Sequence, residues 1–256
     1  METYILIFLC LAAFCAGFVD AIVGGGGLIQ TPISILLLPQ HAVSTVIGSL
    51  KIPAFSGTFL ASRQYLKKVK IDYRLFCFMA ITAFASAYFG SNLLTQVSNE
   101  FMKPALLVVL IALAVYTFIK KDFGQTKAKD IPKNKKYLYA FIISVVVGFY
   151  DGFIGPGTGS FFILGFITLL GFDFITASAN AKLVNLATNF GSIVLFLIKG
   201  KIIWAFALPM AFCNGLGGYI GAKLAISKGN GFVRYFFLAI VLTTLCRFAY
   251  EIFFKG

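Results

Sequence analysis

Two aspartates and two lysines sit inside long apolar stretches of this chain, each associated with a run of glycines. The first stretch reads Gly17-Phe18-Val19-Asp20-Ala21-Ile22-Val23-Gly24-Gly25-Gly26-Gly27. The second reads Gly148-Phe149-Tyr150-Asp151-Gly152-Phe153-Ile154-Gly155-Pro156-Gly157-Thr158-Gly159. Four successive glycines hold a helix poorly and Pro156 has no amide hydrogen, so both stretches predict a broken helix. A helix starting just after such a break offers free N–H groups and the positive end of its dipole, which attract anions. Lys51 and Lys182 lie in the apolar runs that follow and can each add a full positive charge. The implied chemistry is anion binding, and two such half-sites suit a small oxyanion. Ser178, Lys182, Asn185 and Asn189 fall on one helical face, as do Ser44, Lys51 and Thr58 on another. The expected binding residues are Gly24, Gly25, Gly26, Gly27 and Lys51 from the first stretch. From the second they are Gly155, Gly157, Thr158, Gly159, Lys182, Asn185 and Asn189.

Each of these residues also has a plainer reading. Asp20 and Asp151 can neutralise the two lysines in buried ion pairs, which need no function. They can instead carry a proton beside an anion site, or cap a helix. The lysines can touch the anion or serve only in those pairs. Gly217 and Gly221, four residues apart, read as close helix packing, as do their neighbours Gly215 and Gly218. Asn214 is a lone polar residue in the same run and has no assigned role.

These groups need elements that hold them inside a membrane. Of 256 residues, 59% are hydrophobic and only 12% charged, with a mean hydropathy of +0.91. A soluble protein keeps roughly a quarter of its residues charged. The composition therefore excludes a soluble enzyme, a nucleic-acid binder and a disulfide scaffold. Apolar runs cover 4–23, 28–38, 42–65, 75–97 and 101–119, then 137–154, 159–171, 174–198, 202–226 and 231–254. About 20 apolar residues are needed to cross, so 28–38 and 159–171 are half-length. Residues 1–20 read as the first membrane helix rather than a leader, because Glu2 stands where a basic segment is needed. Helical rise from Gly27 to Pro39 is roughly 18 Å, and from Ala42 to Lys51 roughly 14 Å, which sets Lys51 at the depth of the break.

A shift of 131 residues, without a gap, carries Asp20 onto Asp151, Gly24 onto Gly155, Lys51 onto Lys182 and Tyr88 onto Tyr219. The expected architecture is an all-α polytopic membrane protein of two homologous halves. Each half has four full-length helices and one half-length helix after the glycine break. The first repeat spans 1–119, a basic cytoplasmic linker 120–136, and the second repeat 137–256. The linker holds seven of the lysines, and Arg63, Lys67, Lys68, Lys70 and Arg74 form a second basic loop. Both mark the cytoplasmic side. Parallel and inverted repeats distribute the remaining basic residues equally well, so the sequence leaves that choice open. The five cysteines read as small buried hydrophobes, and the single His41 rules out a multi-histidine metal site.

The paired segments GFVDAIVGGGGLIQTP and GFYDGFIGPGTGSFF resemble the signature segments of the TauE/SafE family, the sulfite exporter or 4-toluene sulfonate uptake permease family. The matching positions are Gly24, Gly25, Gly26, Gly27 and Pro32, then Gly155, Gly157 and Gly159; Pro156 and Thr158 interrupt the commoner run of glycines. The resemblance implies a multi-pass protein of the bacterial inner membrane that moves sulfite, sulfonates or related organosulfur anions. The expected function is secondary transport of such an oxyanion, with a passive anion channel as the alternative. An intramembrane enzyme lacks a nucleophile beside a base, and an ATP-driven pump lacks a phosphate-binding loop. No cofactor, metal or nucleic acid is expected. The expected partners are a small anionic solute and membrane lipid, and the sequence also allows a homo-oligomer.

Overall fold

A computed structural model of the chain describes residues 3–102, 104, 108 and 131–228. The expected run at 231–254, most of that at 101–119, and linker residues 120–130 lie outside the described residues. The described part is helical throughout: α1 (Thr3–Val23), α2 (Gly27–Leu37), α3 (Val43–Tyr65), α4 (Tyr73–Leu94), α5 (Lys133–Phe153), α6 (Thr158–Thr168), α7 (Phe174–Ile198) and α8 (204–228). Among these, α1, α3, α4, α5 and α7 are long and apolar enough to span a bilayer, while α2 and α6 have 11 residues each.

Local chemistry sets the boundaries. Asp72 caps α4 by accepting from the Leu75 amide at 3.2 Å, and Asp173 caps α7 by accepting from Thr176 at 3.1 Å. Helices α1 and α5 stop where the backbone turns left-handed, at Gly24 (φ 79°) and at Gly155 and Gly157 (φ 92° and 81°). That region is strained for any residue with a Cβ. The flanks face outward as large apolar side chains such as Ile81, Ile198 and Phe212, as a lipid solvent requires.

Contacts fix the helix directions. The Tyr65 hydroxyl at the end of α3 donates to the Ala21 carbonyl near the end of α1, at 2.9 Å. Leu9 and Ala13, early in α1, pack with Val46 and Leu50, early in α3. So α1 and α3 run the same way, and α2 carries the chain back between them; Leu38, just past α2, joins the Leu9 cluster. Helix α8 runs with α3, since the Ile203 amide donates to Ser49 and Asn214 abuts Gly57. Helices α4 and α5 run together, with Ser86 donating to the Val145 carbonyl and Ser91 to that of Gly152. They oppose α3, because α4 follows α3 through the short turn at 66–72. Helix α7 also opposes α3: Gly48 abuts Phe196 while Phe55 stacks near Phe190.

One face therefore gathers Arg63, Lys67, Lys68, Lys70 and Arg74 with Lys135 and Lys136, and Lys136 pairs with Asp72 at 3.4 Å. Lys223 and Lys228, at the end of α8, lie on that same side, and only Lys199 and Lys201 among the described loop lysines lie on the other. Basic loops of this kind mark the side expected to be cytoplasmic. The largest apolar cluster among the described residues fills the half toward this basic face, with Val23, Tyr65, Phe162, Phe166 and Phe174 among its members.

Candidate functional site

The two glycine breaks touch. The glycines make this approach possible, since a Cβ on Gly24 would lie 2.3 Å from the Gly159 carbonyl carbon, and one on Gly27 would lie 2.9 Å from Pro156 Cα. Ser160, in the first turn of α6, donates its amide to the Gly24 carbonyl at 3.1 Å and its hydroxyl to that of Val23 at 2.8 Å. Carbonyls freed by the end of α1 are thus satisfied by the start of α6, as a break in lipid demands. Helices α2 and α6 leave this junction in opposite directions with their N-termini side by side.

The charges cross between the elements. Lys51 of α3 reaches the end of α5, bonding the Asp151 carbonyl at 2.6 Å and its carboxylate Oδ1 at 3.1 Å. Lys182 of α7 reaches the end of α1, pairing with Asp20 Oδ2 at 2.7 Å and with the Asp20 carbonyl. Each ammonium thus sits at a helix carboxyl end, where the dipole favours a cation. The sequence reading placed each lysine beside its own stretch's break; the structure places it at the other's.

The two pairs are not equivalent. Asp20 is saturated, because its Oδ1 also accepts from the Gly26 amide at 3.3 Å. Asp151 leaves its buried Oδ2 without a partner. Of the two carboxylates, the one at the second break keeps a buried oxygen unused.

Beside this second pair lies a cavity of about 60 Å³. One water needs roughly 10–15 Å³ on the same measure, so the space suits a few waters or one small ion. Its wall includes Asp20, Gly24, Gly26, Gly27, Lys51, Asp151, Gly155, Gly157, Thr158, Gly159, Asn185 and Asn189. Twelve of the fourteen candidate residues thus come together here; the other two, Gly25 and Lys182, are buried but do not line the cavity. Asn185 and Asn189 are tied to each other through the Asn185 side-chain and main-chain oxygens, at 3.2 and 2.9 Å. Sequence reasoning passed over Gln30 and Thr31, which also form the wall, and gave no role to Asn214, which does too. The available signal was an uncharged polar residue at membrane depth, weaker than a lysine but of the same kind.

Helices broken at mid-membrane around a small charged cavity define a membrane transporter rather than a receptor or anchor. The chain matches the family described as Sulfite exporter TauE/SafE over residues 9–248, and it belongs to that family of membrane transporters. It is 34% identical over 234 residues to a Sinorhizobium protein named "Probable membrane transporter protein ORF9", covering 90% of this chain and 87% of that one. It is likewise 34% identical over 230 residues to a "Probable membrane transporter protein" of Haemophilus influenzae, covering 90% and 89%. To the "Probable membrane transporter protein YfcA" of Escherichia coli it is 32% identical over 227 residues, covering 88% and 82%. No solved structure matches it. The protein is a multi-pass protein of the bacterial inner membrane that moves a small solute.

Proposed function

We propose that the protein is a secondary transporter for a small oxyanion, with sulfite, a sulfonate or a related organosulfur anion as cargo. The carrying observation is the cavity of about 60 Å³ where the N-termini of α2 and α6 meet beside the Lys51 ammonium. The cargo lies against Gly27, Gly157, Thr158 and Gly159, with Lys51 as the cationic contact and Asn185 and Asn189 as further polar wall. The family's name supports sulfite as the first anion to try.

The charge balance supports a proton travelling with the anion. Lys51 and Asp151 sum to zero, so a bound monoanion leaves a net buried charge, which is strongly disfavoured away from water. One proton on Asp151 restores neutrality, and its Oδ2 has no other partner. Asp20, held by Lys182 and Gly26, is the less available carrier.

The chain is read as two inverted copies, 1–119 and 137–256, joined by the linker 120–136. Reciprocal contacts support this. Lys51 with Asp151 mirrors Lys182 with Asp20, and Gly90 against Phe149 mirrors Gly221 against Phe18. Inverted copies around a central site suit alternating access. A carrier is the reading preferred over an open channel, because paired broken helices around a central site suit alternating access.

The test is transport in proteoliposomes. Sulfite uptake in the wild type should be accelerated by unlabelled sulfite on the opposite side, as a carrier requires. Lys51→Ala should lower the rate at least tenfold while the protein remains monodisperse. Equal rates in Lys51→Ala and wild type would remove the proposed site, and flux with no acceleration from the opposite side would favour a channel.

A further inference from the structure

Gln30 lies in the first turn of α2, is 4% exposed and forms part of the cavity wall. Its side-chain oxygen is occupied, because Asn214 Nδ2 donates to Gln30 Oε1 at 2.9 Å. That bond fixes the carboxamide so that Nε2 is the remaining end, and Nε2 is buried without a partner. Asn214 is itself 3% exposed and held between two helices: a Cβ at Gly17 or Gly57 would lie 2.7 or 1.9 Å from its Oδ1. Two glycines on different helices thus make room for the group that orients Gln30.

Packing alone does not call for this pair. The positions 131 residues away are Phe161, in the first turn of α6, and Ala83, in α4. An aromatic ring and a methyl group fill the corresponding places there. An unsatisfied buried donor is destabilising, and it persists where a ligand supplies the acceptor. The wall beside it also includes Lys51 and Gly157.

We propose that Gln30 is a specificity-determining residue that donates through Nε2 to a cargo oxygen, with Asn214 as its positioning residue. This deepens the site reading above and rests on it. The cargo class follows: a polyatomic oxyanion with at least two acceptor oxygens, one for the Lys51 side of the cavity and one for Gln30. A monatomic anion satisfies only the first. Sites built to hydrogen-bond a polar group reject analogues that lack it far more strongly than apolar pockets reject a wrong size.

The experiment measures sulfite and bromide affinity of the purified full-length protein by ligand-dependent thermal stabilisation. Two variants are used, Gln30→Leu and Gln30→Glu. The second keeps an oxygen for Asn214, and so preserves the local bond if the leucine variant fails to fold. Sulfite affinity should fall about tenfold to a hundredfold in both, the range for a hydrogen bond to a charged group. Bromide, weak in the wild type, should change less than twofold in Gln30→Leu. Asn214→Ala should move the sulfite-to-bromide ratio in the same direction by a smaller factor. Unchanged sulfite affinity in both Gln30 variants, with binding lost in Lys51→Ala, would overturn the role of Gln30 and leave the site standing. Unchanged affinity in the Gln30 and Lys51 variants alike would remove the site and this inference with it. An equal loss for sulfite and bromide would make Gln30 a structural residue only.

Discussion

The Lys51–Asp151 pair offers a perturbation whose size follows from its burial. Both side chains are nearly sealed, at 6% and 4% exposed, and the ammonium bonds both the carboxylate and the main-chain carbonyl of Asp151. Lys51→Met leaves a buried carboxylate with no counter-charge. Breaking a buried pair on one side costs about 3–5 kcal/mol. At roughly 2–4 °C per kcal/mol for a chain of this size, the melting temperature should fall by about 6–20 °C. Adding Asp151→Asn removes the stranded charge, so the double variant Lys51→Met/Asp151→Asn should recover most of that stability. It should not recover transport, because the cationic contact to the cargo is still gone. Lys182→Met should be milder, since Asp20 is 20% exposed and keeps its bond to the Gly26 amide. Thermal unfolding in detergent followed by sulfite flux in liposomes reads both quantities. If Lys51→Met melts within about 2 °C of wild type, or the double variant melts as low as the single one, the pair is not the buried charge couple described. If the double variant transports normally, Lys51 serves folding alone.

The glycines divide into two kinds. Gly24→Ala should abolish a monodisperse preparation, because φ is 79° and the added Cβ meets the Gly159 backbone at 2.3 Å; Gly25→Ala meets nothing nearer than Leu28 Cδ1 at 3.4 Å and should yield a folded protein by size-exclusion chromatography. At the cytoplasmic turn, the Leu75 amide first and then Lys136 hold the Asp72 carboxyl below its ordinary value of 3.8. A lowered carboxyl stabilises the fold above that value and loses its effect as pH falls below it. Asp72→Ala should therefore cost about 1 kcal/mol at neutral pH, with the melting difference from wild type closing below pH 3.8.

The broken helices were legible because glycine runs and Pro156 act locally, and local rules survive folding. The bilayer was legible for the opposite reason, since composition averages over every residue. Partner choice was not legible. Nothing near Lys51 in the sequence says that its carboxylate is Asp151 rather than Asp20, because that depends on how α3 and α5 meet across 100 residues of chain. Gln30 was missed for a related reason: as an uncharged residue in an apolar run it gives a weak signal until Asn214, 184 residues away, is seen to occupy one end of it.

Helix direction was the other silent quantity, and the crossed pairs depend on it. Lys51 stands early in α3 and Asp151 late in α5, so they meet only if the start of α3 and the end of α5 lie at similar depth. With α3 and α5 antiparallel, that condition holds on the side away from the basic loops. It holds again for Lys182 and Asp20, early in α7 and late in α1, on the basic side. One pair therefore lies toward each face of the membrane, with the touching glycine breaks between them. Under the reading that the halves are copies, the two pairs are one contact made twice, once toward each face.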